Sequence, residues 1–441
     1  MGSGKEQVGC RKAINRVCRA VVLGAGASGK AAARLLQSEG SDVHLFSAET
    51  EPLTAAALRA FKPDVAVVSP GFCLMHPWLE LCRKYGVPLT AELELGWSRF
   101  RGRTLAVTGS NGKSTVVKWL AESLRQAGYR AEPAGNYGLP ASAAVLDDPS
   151  LDWLVLEVSS FQLETVREFR AEGVVLLNLL PNHLDRHGTM EAYLQLKCRI
   201  FEKAREGDVL LYPEELADRI APGLRQSGRS FGMGQKADWR FEEGAVFYRG
   251  RKRADFGGTT FDNPVTGPAA AAGCALLHGC GIPLVAAQRA AREFQPLEHR
   301  MQKMFAIRGV EFINDSKATN LAALCAAVRR VGKPVHLIAG GRAKEQDFIS
   351  AKEVLEQSGV KVYLIGESAE SMFSAWSESV SCRCCGILEE AVQAAWRAAR
   401  SGEVVMLAPG CASFDQFDSF EERGRCFSRL AAELTGQEVE P

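Results

Sequence analysis

The sequence predicts an α/β protein built as three domains, and three observations carry that prediction. Short apolar runs rich in valine, leucine and isoleucine alternate with helical stretches. Two glycine-rich loops each follow such a run and open a helix. The chain has 441 residues, more than one hydrophobic core comfortably holds.

The runs fall at residues 20–23, 105–108, 154–158, 174–180, 335–339, 362–365 and 404–407. A strand covered by helices on both faces reads as continuously apolar rather than alternating, so parallel sheets are expected. A fresh strand-and-loop unit begins near residues 96–103 and again near 296–301, after which residues 305–313 read as a strand pair. The expected domains are 1–98, 99–297 and 298–441, each large enough for a core of its own.

Hydrophobic residues make up 46% of the chain and charged residues 24%, which suits a folded protein and argues against extended disorder. A net charge of +1 supplies no electrostatic reason for a nucleic-acid or membrane partner, and neither is expected; the expected state is a monomer. No apolar run is long enough to cross a bilayer. The first twenty residues lack the long apolar stretch and cleavage site of a secretory signal, which points to the cytoplasm. There the 13 cysteines are expected to stay thiols, and the cluster Cys382, Cys384 and Cys385 has no second pair at zinc-ligand spacing.

The first glycine loop, residues 24–29 (GAGASG), suits a pyrophosphate at the positive end of the helix that follows. By itself it does not separate NAD, FAD or a nucleotide-sugar, and a plain tight turn has the same look. A nicotinamide enzyme wants an acidic residue at the end of the second strand. Here the acid, Glu49, comes late, so NAD is poorly supported.

The second loop, residues 108–115 (TGSNGKST), is the strongest signal in the chain. Its amides and Lys113 would cradle nucleotide phosphates, with the Ser114 hydroxyl on magnesium. It is a shortened variant, because Val107 stands where the strict pattern has glycine. Glu157, at the end of another strand, is a candidate metal ligand. Residues 178–185 bring His183 and Asp185 to the same edge, and Lys197 follows on an expected amphipathic helix over 190–203, where an isolated lysine is usually solvated.

Residues 108–115, 157–163, 182–187 and 314–320, in this order and spacing, resemble the motifs of the Mur ligase family over nearly the whole chain. Residues 136–140, 411–417 and 420–424 are similar to its D-glutamate-adding branch. The resemblance implies a Rossmann-like N-terminal domain, a central P-loop ATPase-type parallel sheet and a Rossmann-like C-terminal domain. It also implies ATP-driven coupling of D-glutamate to UDP-N-acetylmuramoyl-L-alanine through an acyl phosphate, in cytoplasmic peptidoglycan precursor synthesis.

On the same resemblance, Gly24, Gly26, Ser28, Gly29, Ser69 and Gly71 would hold the uridine-diphosphate end of the substrate, and Asn136, Ser159, Gln162 and His183 its muramoyl-alanine part. Gly109, Ser110, Asn111, Gly112, Lys113, Ser114, Thr115, Asn263, Arg300 and Asp315 would contact ATP. Two Mg2+ ions would sit on Ser114 and Glu157, and on His183 with a carbamate formed on Lys197; a carbamate turns a cationic amine into an oxygen ligand. Thr319, Lys344, Ser413, Phe414 and Phe420 would take D-glutamate, while Lys113, His183 and Lys197 form the catalytic set.

Residues 262–266 (DNPVT) keep only the central asparagine of the family's adenine-facing pattern. Three readings compete: a related ligase with another acceptor, a nicotinamide oxidoreductase built on the first loop, and a nucleotide-dependent switch without ligase chemistry. The 413–420 motif opposes the first of these, the second glycine loop the second, and Glu157, His183 and Lys197 together the third.

Overall fold

Buried apolar strands set the frame. In the computed structural model, which describes residues 17–48, 51–343 and 347–434, 19 strands form three sheets. The first, parallel throughout, holds β1 (Arg19–Leu23), β2 (Asp42–Phe46), β3 (Val65–Val68) and β4 (Leu89–Ala91) in the order β2-β1-β3-β4.

The second sheet has nine strands: β5 (Arg103–Thr108), β6 (Ala131–Gly135), β7 (Trp153–Glu157), β8 (Gly173–Leu176), β9 (Val209–Pro213), β10 (Arg229–Gly232), β11 (Trp239–Glu242), β12 (Ala245–Tyr248) and β13 (Arg251–Asp255). Their order is β13-β12-β11-β10-β9-β8-β5-β7-β6. The sheet is parallel except at β11-β12-β13, an antiparallel extension that the apolar runs do not announce. Its strands are short and partly solvated, and β13 presents Arg251, Lys252 and Arg253 to water.

In the third sheet β14 (Gln302–Ile307), β15 (Val310–Asn314), β16 (Val335–Gly340), β17 (Lys361–Ile365), β18 (Ser381–Gly386) and β19 (Val404–Leu407) lie in the order β14-β15-β19-β16-β17-β18. The expected strand pair is present, β14 antiparallel to β15, and the remaining pairs are parallel.

By internal contacts the chain divides into two units, residues 1–179 with 193–294, and residues 180–192 with 295–441. The first unit contains both of the first two sheets. Their junction is the helix Glu92–Arg99, which turns two carboxylates inward. Glu92 accepts the Ser142 amide at 2.7 Å, and Glu94 accepts the amides of Arg167 and Glu168. Close packing needs a glycine here, because a Cβ on Gly96 would lie 2.4 Å from the backbone of Ser142. The Glu92 carboxyl is almost fully buried, and desolvation pushes it up to about 7.

The core of the nine-stranded sheet centres on Trp119, fully buried on the helix Lys113–Gln126 with its indole N–H donating to the Ala287 carbonyl at 3.0 Å. Two expected elements end early. The run 174–180 is a strand only to Leu176, and the helix from Met190 ends at Cys198, passing into a 3-10 turn over Arg199–Phe201.

Candidate active site

Strand order decides where loops can meet a ligand. An open parallel sheet leaves a crevice beyond the carboxyl ends of its strands where the strand order reverses. In the first sheet that place lies between β1 and β3, in the second between β5 and β8, and in the third beside β19, between β15 and β16. Both glycine loops and the motifs at 157–163, 178–185, 314–320 and 411–417 leave one of these strands or its neighbour, whereas residues 136–140 follow the edge strand β6 and residues 262–266 follow β13.

At the first crevice Gly24 has φ +102°, and a Cβ there would approach Ser69 Oγ to 2.9 Å. A Cβ on Gly29 would strike the Gly24 carbonyl, whereas among the described residues nothing lies within 4 Å of the same position on Gly26 or Gly71. Gly24 and Gly29 are therefore required by packing, while Gly26, which caps the helix Ala27–Ser38, and Gly71 leave space for a ligand. Among the described residues Ser69 Oγ is buried with no hydrogen-bond partner, which fits a polar ligand at this crevice. Glu49 lies outside the described residues.

The second crevice holds the phosphate loop. Val107 is fully buried within β5, so the loop proper starts at Gly109 (φ +148°) and ends at Gly112 (φ +82°), which caps the helix Lys113–Gln126. The helix amino end and Lys113 supply positive charge for an anion. The ammonium of Lys113 donates to the carbonyls of Gly109 and Ser110 at 2.9 and 2.8 Å. Ser114 Oγ donates to Glu157 Oε2 at 2.5 Å, and Asn136 Nδ2 donates to the other Glu157 oxygen at 2.7 Å.

Lys197 overturns the solvated-lysine expectation. It is 1% exposed, lies 4.4 Å from the Tyr193 ring and donates to the Gly109 carbonyl at 2.8 Å. Burial first, and the neighbouring Lys113 charge second, hold its amine well below the ordinary lysine range, against the pull of Glu157. The structure thus brings Lys113, Ser114, Asn136, Glu157 and Lys197 to one loop. Ser159 and Gln162 bond each other in a capping box at the short helix Ser160–Leu163. Asn263 closes its own turn: its amide nitrogen donates to Thr260 and Thr266, and its oxygen accepts from Val265 and Thr266.

The second unit has its own constellation. Asp315, just past β15, accepts the Met301 amide at 3.0 Å, and burial raises its carboxyl to about 7 despite Arg300 and Arg330. Thr319 and Ser413 come from the loops after β15 and β19, and Phe420 opens the helix Phe420–Glu433. Ser316 Oγ donates to the Phe420 carbonyl at 2.8 Å, and the Lys317 ammonium lies 3.5 Å from the Phe420 ring centre. A cleft of about 1090 Å³ is lined by Phe414, Arg342, Arg329, Cys325 and Leu321, together with His183 of the 180–192 segment. His183 has φ +56°, a left-handed conformation uncommon outside glycine. Lys344 lies outside the described residues, as does the side chain of Asp185.

The 420–424 motif contains Arg423, but sequence reasoning gave that residue no role. It is 1% exposed on the helix Phe420–Glu433 and donates to Ser316 Oγ and to the carbonyls of Ser316 and Cys411. Its position on the apolar stripe with Phe427 and Leu430 was the available signal, since an arginine there must be paired inside.

The Mur ligase middle domain matches residues 107–262, and the Mur ligase glutamate ligase domain matches residues 299–411. The UDP-N-acetylmuramoylalanine–D-glutamate ligase of Acidobacterium capsulatum is 36% identical over 93% of this chain and 95% of its own. The protein of the same name from Caldanaerobacter subterraneus is 32% identical over 94% and 98%. Among solved structures, UDP-N-acetylmuramate–alanine ligase MurC from Thermotoga maritima superposes with a TM-score of 0.61 at 16% identity, over 96% of this chain and 100% of that one. MurF ligase from the same organism, in complex with ADP, reaches 0.59 at 17% identity, over 84% and 96%. The two structures speak to the fold alone.

Proposed function

The chain belongs to the Mur ligase family, and on that footing we infer that it is the ATP-dependent ligase joining D-glutamate to UDP-N-acetylmuramoyl-L-alanine in peptidoglycan precursor synthesis. One arrangement carries the phosphoryl-transfer half of this reading. A glycine loop opening a helix, a lysine inside it and a buried serine–carboxylate pair meet at the crevice between β5 and β8. The two substrates rest on the named relatives.

The reaction runs in two steps. The alanine carboxylate attacks the γ-phosphate of ATP, giving an acyl phosphate and ADP; the amine of D-glutamate then attacks the acyl carbon, releasing phosphate as the amide forms. Hydroxide is a poor leaving group and phosphate a good one, which is why the nucleotide is needed. The protein's share is positioning and charge neutralisation. Lys113, held by two loop carbonyls, is placed to exchange them for phosphate oxygens. Asn136 orients the Glu157 carboxylate.

Ser114 and Glu157 fit a magnesium ion, because a hydroxyl and a buried carboxylate already in contact are the oxygen donors a hard divalent cation takes. Such an ion supplies charge neutralisation for the triphosphate when bound. Lys197 fits a carbamate. Its burial disfavours the ammonium and so favours the neutral form, which is the form that adds carbon dioxide, and the product would be an anionic oxygen ligand for a second ion. In this reading His183, which lines the cleft with Arg342 and Phe414, takes the proton from the incoming amine, and Thr319, Ser413, Phe414 and Phe420 hold the amino acid. Residues 1–98, 99–297 and 298–441 serve as uridine, nucleotide and amino-acid domains of a cytoplasmic monomer.

Phosphate release from ATP with UDP-N-acetylmuramoyl-L-alanine tests the reading, with D-glutamate, L-glutamate, L-lysine and meso-diaminopimelate offered in turn. Release with D-glutamate alone, and a product heavier by one glutamate residue, is expected. Release with a different amino acid would discard the acceptor, and none with any would discard the ligase.

A further inference from the structure

Asn178 lies two residues beyond the end of β8, facing the phosphate loop across the crevice. Its Oδ1 accepts the amides of Ser110 and Asn111 at 3.1 and 2.9 Å, and its Nδ2 donates to the Asn111 carbonyl at 3.1 Å. The Asn178 backbone carbonyl also accepts the Ser110 amide, at 3.1 Å. Two donors on one side and an acceptor on the other settle which way the carboxamide points.

The contact is close as well as polar. A Cβ on Gly109 would stand 3.0 Å from the Leu177 Cβ and 3.3 Å from the Asn178 amide, so the loop rests directly on this strand extension. With Ser110 and Asn111 tied down, the helix start at residues 112–115 is the part of the loop turned to a phosphate. The Gly109 carbonyl, one residue before the tie, is the acceptor for both Lys113 and Lys197.

We propose that Asn178 is a positioning residue for the nucleotide: its carboxamide holds residues 109–111 so that the helix amino end and Lys113 are presented to the phosphates. This rests on the ATP-dependent reading above. An apolar side chain of the same size cannot replace it, because the Ser110 amide and the Asn111 amide and carbonyl would each lose a bond to the carboxamide, and the Asn178 backbone carbonyl alone, which reaches the Ser110 amide, does not reproduce the tie.

The test compares Asn178→Leu and Asn178→Ala with the wild type in the full chain, by calorimetric titration with Mg-ADP and, separately, with the UDP-linked substrate. The expected result is a fall in ADP affinity of about tenfold, the scale of one or two lost hydrogen bonds, with a matching rise in KM for ATP. Affinity for the UDP-linked substrate should stay within about twofold of wild type. That last measurement reports folding, and the leucine variant fills the volume should alanine fail to fold. ADP affinity unchanged in a variant that still binds the UDP-linked substrate would overturn the proposal; a lower Tm alone would not support it. Wild-type protein that does not bind ADP would sink the ligase reading and this inference with it.

Discussion

Lys113 and Lys197 share one acceptor: both ammonium nitrogens approach the carbonyl oxygen of Gly109, at 2.9 and 2.8 Å. Burial first, and repulsion from the Lys113 charge second, disfavour the proton on Lys197, the more buried of the two. The first prediction follows from that asymmetry. Removing dissolved carbon dioxide should lower the wild-type rate, and bicarbonate should restore it. Lys197→Ala should be slower by about a hundredfold or more and indifferent to bicarbonate, on the scale of losing a charge-stabilising group at a reacting phosphate. A rate in Lys197→Ala that follows bicarbonate as wild type does would remove the carbamate.

Glu157→Gln keeps the shape of the side chain and its contact with Asn136 while removing the negative charge. The kcat should fall about a hundredfold or more, and the Mg2+ concentration needed for half-maximal rate should rise, with chelation of Mg2+ abolishing wild-type turnover. Unchanged Mg2+ dependence would dismiss Glu157 as a ligand.

Glu92 makes stability depend on pH at the junction of the first two sheets. Its folded-state carboxyl is raised to about 7 from an ordinary 4.5. Between these values the folded protein holds a proton that the unfolded chain has lost, so this group's contribution is full below about 4.5 and disappears as pH rises through about 7. Glu92→Gln, neutral at every pH, should therefore gain Tm relative to wild type at pH 8 and much less at pH 5. An equal difference at both pH values would refute the assignment. The groups around it are the Ser142 amide and hydroxyl.

Packing makes a prediction independent of catalysis. A Cβ on Gly273, in the helix Gly267–Gly279, would lie 2.2 Å from the Trp119 ring, which is fully buried and pinned by its own hydrogen bond. Gly273→Ala should cost about 1–3 kcal/mol by overpacking, offset in part by the better helix propensity of alanine. Urea denaturation would show it, and an unchanged midpoint would mean that Trp119 has room to move.

Much of this was legible in the chain itself. Strands buried on both faces announce themselves as apolar runs, so β1, β5, β7, β8, β16, β17 and β19 and both glycine loops stand where the sequence puts them, while parallel strands such as β4, β6 and β18 are not singled out. The antiparallel strands β11 to β13 do not, because four- and five-residue strands with charged, solvated faces resemble loops. Reading 174–180 as one strand failed at Leu177, where the chain keeps its apolar character but turns to support the phosphate loop.

Sequence alone determined the chemistry on offer: phosphate loops after strands, a carboxylate at a strand end, and motifs in the order of one ligase family. Only the tertiary structure decided which side chains are buried and what they meet. Lys197 reads as a surface residue until its helix is packed against Gly109, 88 positions earlier, and Arg423 is an ordinary helical arginine until it closes on Ser316, 107 positions away. Hydrophobic periodicity is a local property of a few consecutive residues, whereas desolvation and pairing depend on the whole fold. For that reason the positions of the loops were readable, while the burial of Lys197 and the tie at Asn178 were not.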